Sequence, residues 1–138
     1  MKVLIDTNII VDFIIKREPF FSASDKIVNL CIDKKIIGYM AAHSVSNIFY
    51  ILRKNIPSDK RRRILIDLCN IFTVASIDSS KIINALENEN FSDFEDCLQD
   101  ECAYCADADF IITRNIKDFS DSRIKAIIPE DFIEIIKE

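Results

Sequence analysis

Residues 2–8 read KVLIDTN, a short aliphatic run that breaks off into a carboxylate, a hydroxyl and an amide. An apolar run of this length, stopped by polar residues, is the pattern of a strand buried on both faces of a sheet. Asp6 then stands at the rim of that sheet, where a charge is tolerable only beside a partner or a metal. Beyond it, Ile9, Ile10, Phe13 and Ile14 recur at helical spacing, so the strand leads into a short helix from Asn8 that ends before Pro19.

The same alternation continues along the chain. Ser22 or Ser24 is placed to cap a helix through about Lys34, and Ile36 to Ala41, around Gly38, reads as the second strand. A helix opened by Ser44 or Ser46 carries Val45, Ile48, Phe49 and Leu52 up to Pro57, and Ser58 and Asp59 start another that runs to Cys69. Phe72 to Ala75, Asp109 to Thr113 and Lys125 to Ile128 are further strands. Ser79 caps a helix through about Leu86, Asp93 to Cys105 forms the next, and Pro129 begins the last. Strands alternating with helices call for a largely parallel sheet covered on both faces, with right-handed crossovers. The expected fold is a three-layer α/β/α sandwich around four to five strands, one domain over residues 1–138.

Composition removes several function classes. With 49% apolar residues the chain can bury enough surface to offset its conformational entropy, which excludes disorder. Its single glycine excludes the phosphate-cradling P-loop and the dinucleotide fingerprint, which need several. The net charge of −5 argues against nucleic-acid binding through bulk positive charge, although carboxylates gathered around a cation would account for much of that excess. Five cysteines are an odd set and read as reduced core thiols. The pair Cys102 and Cys105 lacks a second ligand pair for zinc, since His43 is the only histidine. Asp6 and Asp12 interrupt the apolar N-terminus, so neither a signal segment nor a membrane span is expected, and the cytoplasm is the expected location.

In open parallel sheets, sites form at the carboxyl ends of the strands. The first strand ends in Asp6, Thr7 and Asn8; the fourth ends in Thr113, Arg114 and Asn115, with Asp118 three residues on. The helix before the fourth strand brings Asp93 and Asp96 to the same edge in its first turn. Acidic residues in a first turn are also favoured by the helix dipole, so these two have a structural reading as well. Asp100 and Glu101, a turn deeper, are assigned to solvated positions. Carboxylates converging from separate elements repel one another unless a divalent cation lies between them, and oxygen ligands suit Mg²⁺ or Mn²⁺.

These residues resemble the PIN-domain ribonuclease family over nearly the whole chain. LIDTNIIVDFI resembles its first motif, and FEDCLQDECAYCADADFIITRNIKDF its closing motifs. The resemblance implies that Asp6 and Asp96 bind metal, that Asn8 orients Asp6, that Thr113 and Asn115 support the site, and that Asp118 adds an acidic group. Two positions depart from the common pattern. Asn47, in HSVSNIFYILRK, stands where most members have Glu, and Asn115 where most have Asp. Asp93, one turn before Asp96, and Asp118 are placed to restore the missing charge as further metal-binding, catalytic carboxylates. The resemblance further implies metal-dependent hydrolysis of single-stranded RNA. It also implies kinship with small VapC-type toxins, which assemble as dimers and are neutralised by a small antitoxin protein. Lys16, Arg17, Arg53 and the run Lys60, Arg61, Arg62 and Arg63 are candidates to steer RNA or to face an acidic partner.

Three other readings stand beside this one. A degenerate PIN domain would bind RNA or a protein without cutting, as Asn47 and Asn115 allow. A dehalogenase-like phosphatase or a receiver also begins with a strand ending in Asp. The former needs a second Asp where this chain has Asn8, and the latter a late-strand Lys where it has Thr113 and Arg114. In the third, the exposed surface is mainly a partner site and His43 is a ligand or base; beside Ser44, His43 is otherwise a structural residue near a helix start.

Overall fold

Every run read as a strand pairs with another in the computed structural model, which describes residues 1–137. The strands are β1 (Lys2–Ile5), β2 (Ile37–Ala41), β3 (Thr73–Ala75), β4 (Phe110–Ile112) and β5 (Ala126–Ile127). All neighbours run parallel, in the order β3-β2-β1-β4-β5. The helices are α1 (Thr7–Ile14), α2 (Phe21–Ile32), α3 (Ala42–Ile51), α4 (Ser58–Ile71), α5 (Ser79–Glu87), α6 (Phe94–Cys105) and α7 (Pro129–Lys137). The chain winds outward from β1 to β2 and β3, then returns to lay β4 and β5 on the opposite side. The crevice between β1 and β4 is therefore a topological switch point, where doubly wound sheets place their ligands.

Side chains alternate across this sheet and divide the core. Val3 and Ile5 of β1 and Ile112 of β4 face a large apolar cluster with Ile9, Ile10, Ile27, Ile48, Leu68 and Phe132, contributed by α1, α2, α3, α4 and α7. Leu4 and Ile111 face the other way, against Cys102 and Ala103 of α6. Both faces are covered, which explains why the central strands are apolar without interruption. Gly38 in β2 is dictated by close approach: a Cβ there would lie 2.6 Å from Cys31 Sγ and 2.9 Å from Phe72 Cδ1. All five cysteines are free; Cys31, Cys97 and Cys102 are buried, while Cys69 and Cys105 are exposed. Among the described residues no helix is long and apolar enough to cross a membrane.

Several local expectations are corrected. Helix α2 starts at Phe21 without a side-chain cap, and Ser24 lies inside it, its hydroxyl donating to Phe20 O and Phe21 O. Helix α3 follows β2 with no intervening residue, so Ser44 is a helical residue and not a cap. Asp78, rather than Ser79, caps α5, accepting from Lys81 N at 3.1 Å. The largest correction concerns Asp100 and Glu101, which are 1% and 5% exposed. Arg123 compensates them: its guanidinium donates to Asp100 Oδ2 at 3.0 and 2.7 Å, also bonds Glu101, and lies over the Tyr104 ring. The partner arrives from 22–23 residues away, beyond the reach of helical periodicity.

Candidate active site

Asp6 is the single residue between β1 and α1. Its backbone N–H donates to Ile112 O of β4 at 3.0 Å, and its Oδ1 caps α1 by accepting from Thr7 N at 2.7 Å. Oδ2 accepts from Thr113 Oγ1 at 2.7 Å and from Asn8 Nδ2 at 3.3 Å. Thr113 Oγ1 in turn accepts from Asn115 N at 3.0 Å, which ties the turn after β4 to the same carboxylate. From the second face, Gln99 of α6 reaches Asp6 Oδ1 at 3.4 Å and Ser44 Oγ at 3.1 Å, and Ser44 Oγ also accepts from Thr7 Oγ1 at 2.8 Å. These contacts hold Asp6 in one orientation although it is only 7% exposed.

Asp6 lies in a cavity of about 430 Å³ that Asn8, Asn47, Asp96 and Asn115 also line, together with Arg17, His43, Glu95 and Gln99. The anticipated Asp6, Asn8, Arg17, Asn47, Asp96 and Asn115 thus share one cavity. Asp93 stands at its margin as the N-cap of α6, with Oδ1 accepting from Asp96 N at 2.9 Å. Asp118 is exposed on the turn Ile116–Phe119, near enough for its charge to act on Asp6 and Asp96. Thr113 is fully buried behind Asp6. Of the basic residues put forward to meet RNA, Arg17 lines the cavity, while Arg53 and the run from Lys60 lie elsewhere. Arg53 covers the Tyr50 ring at 3.7 Å, Arg61 donates to Phe49 O at 2.7 Å, Arg62 lines a separate apolar groove with Val45 and Phe49, and Lys60 is exposed on α4.

The electrostatics of this cavity are unbalanced. Burial raises the Asp6 carboxyl above its ordinary range; the hydrogen bonds from Thr113 and Thr7 oppose this, and the charge of Asp118 adds to it. Asp96 is pushed up to about 7, first by burial and then by the like charges of Asp93, Asp6, Asp118 and Glu95. Burial lowers His43, against the pull of Glu95 and Asp93. Asn8 Oδ1, Gln99 Oε1 and both ring nitrogens of His43 are enclosed without a hydrogen-bond partner. Enclosed acceptors beside two carboxylates held above their normal range make a donor set that fits a hard divalent cation. Among the described residues no three Asp, Glu, His or Cys side chains close into a cage.

Gln99 is the site residue that sequence reasoning passed over, and Ser44, read there only as a helix cap, joins it; Thr7 and His43 stand in that reading as a strand-end residue and as a candidate ligand or base. Gln99 had a signal, since it follows Asp96 by three and so shares its helix face. Ser44 and His43 follow the carboxyl end of β2, the strand beside β1.

The family model for the PIN domain matches residues 2–117. No curated protein matches the chain in sequence. Among solved structures the fold is similar to VapBC2 from Rickettsia felis bound to a promoter DNA fragment, with a TM-score of 0.71 at 17% identity over 93% of this chain and 98% of that one. It is similar also to a Klebsiella pneumoniae toxin-antitoxin complex, with a TM-score of 0.67 at 20% identity over 92% and 97% of the two chains. A third likeness is VapC20 of Mycobacterium tuberculosis, a Sarcin-Ricin loop cleaving toxin, with a TM-score of 0.68 at 11% identity over 88% and 95%. The Asp6-centred crevice lies within the matched span, and the chain belongs to the PIN domain family.

Proposed function

We propose that this protein is a metal-dependent endoribonuclease that hydrolyses phosphodiester bonds of single-stranded RNA, the toxin of a toxin-antitoxin pair. The observation that carries the reading is the pair Asp6 and Asp96: two carboxylates held above their normal range in one open cavity at the switch point, beside acceptors that lack partners. Asp6 and Asp96 would hold Mg²⁺ or Mn²⁺, with Asn8 supporting and Asp93 and Asp118 contributing charge. When bound, that cation supplies Lewis-acid polarisation of the scissile phosphate and a more acidic water. The protein's own residues provide orientation. Thr113, Thr7 and Gln99 fix the Asp6 carboxylate from three elements, so its geometry is set before substrate arrives. Asn47 and Asn115 line the cavity as neutral amides able to meet sugar or phosphate oxygens. The toxin role and the small antitoxin draw support from the fold shared with toxin-antitoxin proteins, and a homodimeric assembly is part of the same proposal. Cytoplasmic action follows from that role.

The two asparagines also favour a second reading, a PIN domain that binds RNA or protein without cutting. Cleavage of end-labelled single-stranded RNA with Mg²⁺ or Mn²⁺ separates the two. The nuclease reading expects activity that chelation removes and Asp6→Asn abolishes; equal residual activity in both proteins would leave only the binding module.

A further inference from the structure

Buried Asp12 directs attention to an arginine beside it. Asp12, on α1, is 0% exposed, and a carboxylate so enclosed requires a compensating charge. Arg114 supplies the hydrogen-bonded one: Nε lies 2.7 Å from Oδ2 and one terminal nitrogen 3.3 Å from Oδ1, while the guanidinium covers the Phe20 ring at 4.1 Å. This forked contact balances one charge with one charge. Arg17 adds a looser ion pair to the same carboxylate. Its Nε stands 3.7 Å from Asp12 Oδ1, outside hydrogen-bond range, and its side chain is 46% exposed. Its guanidinium makes no hydrogen bond among the described residues, yet it lines the cavity of Asp6 and Asp96. The backbone places it there, since Lys16 turns at φ 53° and Arg17 N donates to Asp12 O at 3.0 Å.

Resting on the ribonuclease reading, we infer that Arg17 is the side chain that binds a substrate phosphate in this cavity. Arg17 is the cation in a lining that otherwise includes Asp6, Glu95 and Asp96. A phosphodiester brought to those carboxylates without it would meet like charge on several sides. The planar fork of a guanidinium, with both terminal nitrogens uncommitted, matches two phosphate oxygens. Arg53 and Arg61, by contrast, are committed to the aromatic rings and carbonyls of Tyr50 and Phe49.

The test measures binding of a fluorescein-labelled single-stranded RNA to the Asp6→Asn protein by anisotropy across a series of KCl concentrations. Adding Arg17→Gln should weaken binding about tenfold, the worth of a charged hydrogen bond. It should also flatten the slope of log K against log salt by about 0.7, the loss of one phosphate contact on a single strand. Arg17→Lys, which keeps the charge, should retain the slope, and so should Lys35→Gln, exposed between α2 and β2 at the opposite edge of the sheet. An unchanged slope in Arg17→Gln, or an equal loss in Lys35→Gln, overturns the assignment while leaving the ribonuclease reading intact. Failure of the parent to bind at any salt overturns both.

Discussion

Replacing Asp96 by Asn should stabilise the ion-free protein at pH 8 and leave it unchanged at pH 4. The Asp96 carboxyl is pushed up to about 7 in the folded chain, by burial and by four like charges around it, against about 3.9 in an unfolded chain. Below about pH 4 both states carry the proton and the site costs nothing. As pH rises the unfolded chain releases its proton first, so the folded state loses ground until the penalty is complete above about pH 7. About three pH units at about 1.4 kcal/mol each would amount to about 4 kcal/mol for a fully enclosed group. Asp96 keeps partial contact with water, and screening reduces this to about 1–2 kcal/mol.

At about 3–5 °C per kcal/mol for a chain of this length, Asp96→Asn should melt roughly 3–10 °C above the parent at pH 8 in chelator. The gap should close as pH falls to 4. Circular dichroism melts across that range give the readout, and Mg²⁺ then inverts the order at pH 8: the parent gains stability by linkage and the variant does not. A variant that melts lower than the parent at pH 8, or an equal gain from Mg²⁺ in both proteins, would refute the reasoning that Asp96 carries an unneutralised charge awaiting a cation.

Three further outcomes follow from the packing. Gly38→Ala should cost about 1–3 kcal/mol in urea unfolding, because its Cβ would overlap Cys31 Sγ and the Phe72 ring; a cost under half of that would mean β2 and α2 can separate. Arg123→Ala should cost about 3 kcal/mol by the same measurement, since Asp100 and Glu101 would be left buried without their cation. Thiol titration of the native protein should label two cysteines, Cys69 and Cys105. The remaining three should react only on unfolding, burial holding Cys31 up at about 12 and Cys102 at about 11.

The fold was legible because its signals are local. KVLI and FII are strands buried on both faces, and the polar residues after each mark the sheet edge where Asp6 and Thr113 meet. The parallel order across β1 and β4 follows from alternation of strand and helix, and the crevice follows from the order. What escaped was set by partners distant in sequence. Asp96 and Asp100 lie one turn apart on the same helix, and periodicity alone gives them similar claims to the site. Their fates diverge because Arg123, with Ser122, meets Asp100 and closes over it, whereas no cation meets Asp96 and its carboxyl stays exposed to the charges of Asp93 and Asp6. The same contrast separates Asp12 from Asp6. Each follows an aliphatic run, but Asp12 is neutralised by Arg114 and Asp6 receives only neutral donors, Thr7, Asn8, Gln99 and Thr113. Counting the cations that pair directly with each carboxylate thus divides them: Asp12, Asp100 and Glu101 have theirs, whereas Asp6 and Asp96, the pair proposed to hold the cation, do not.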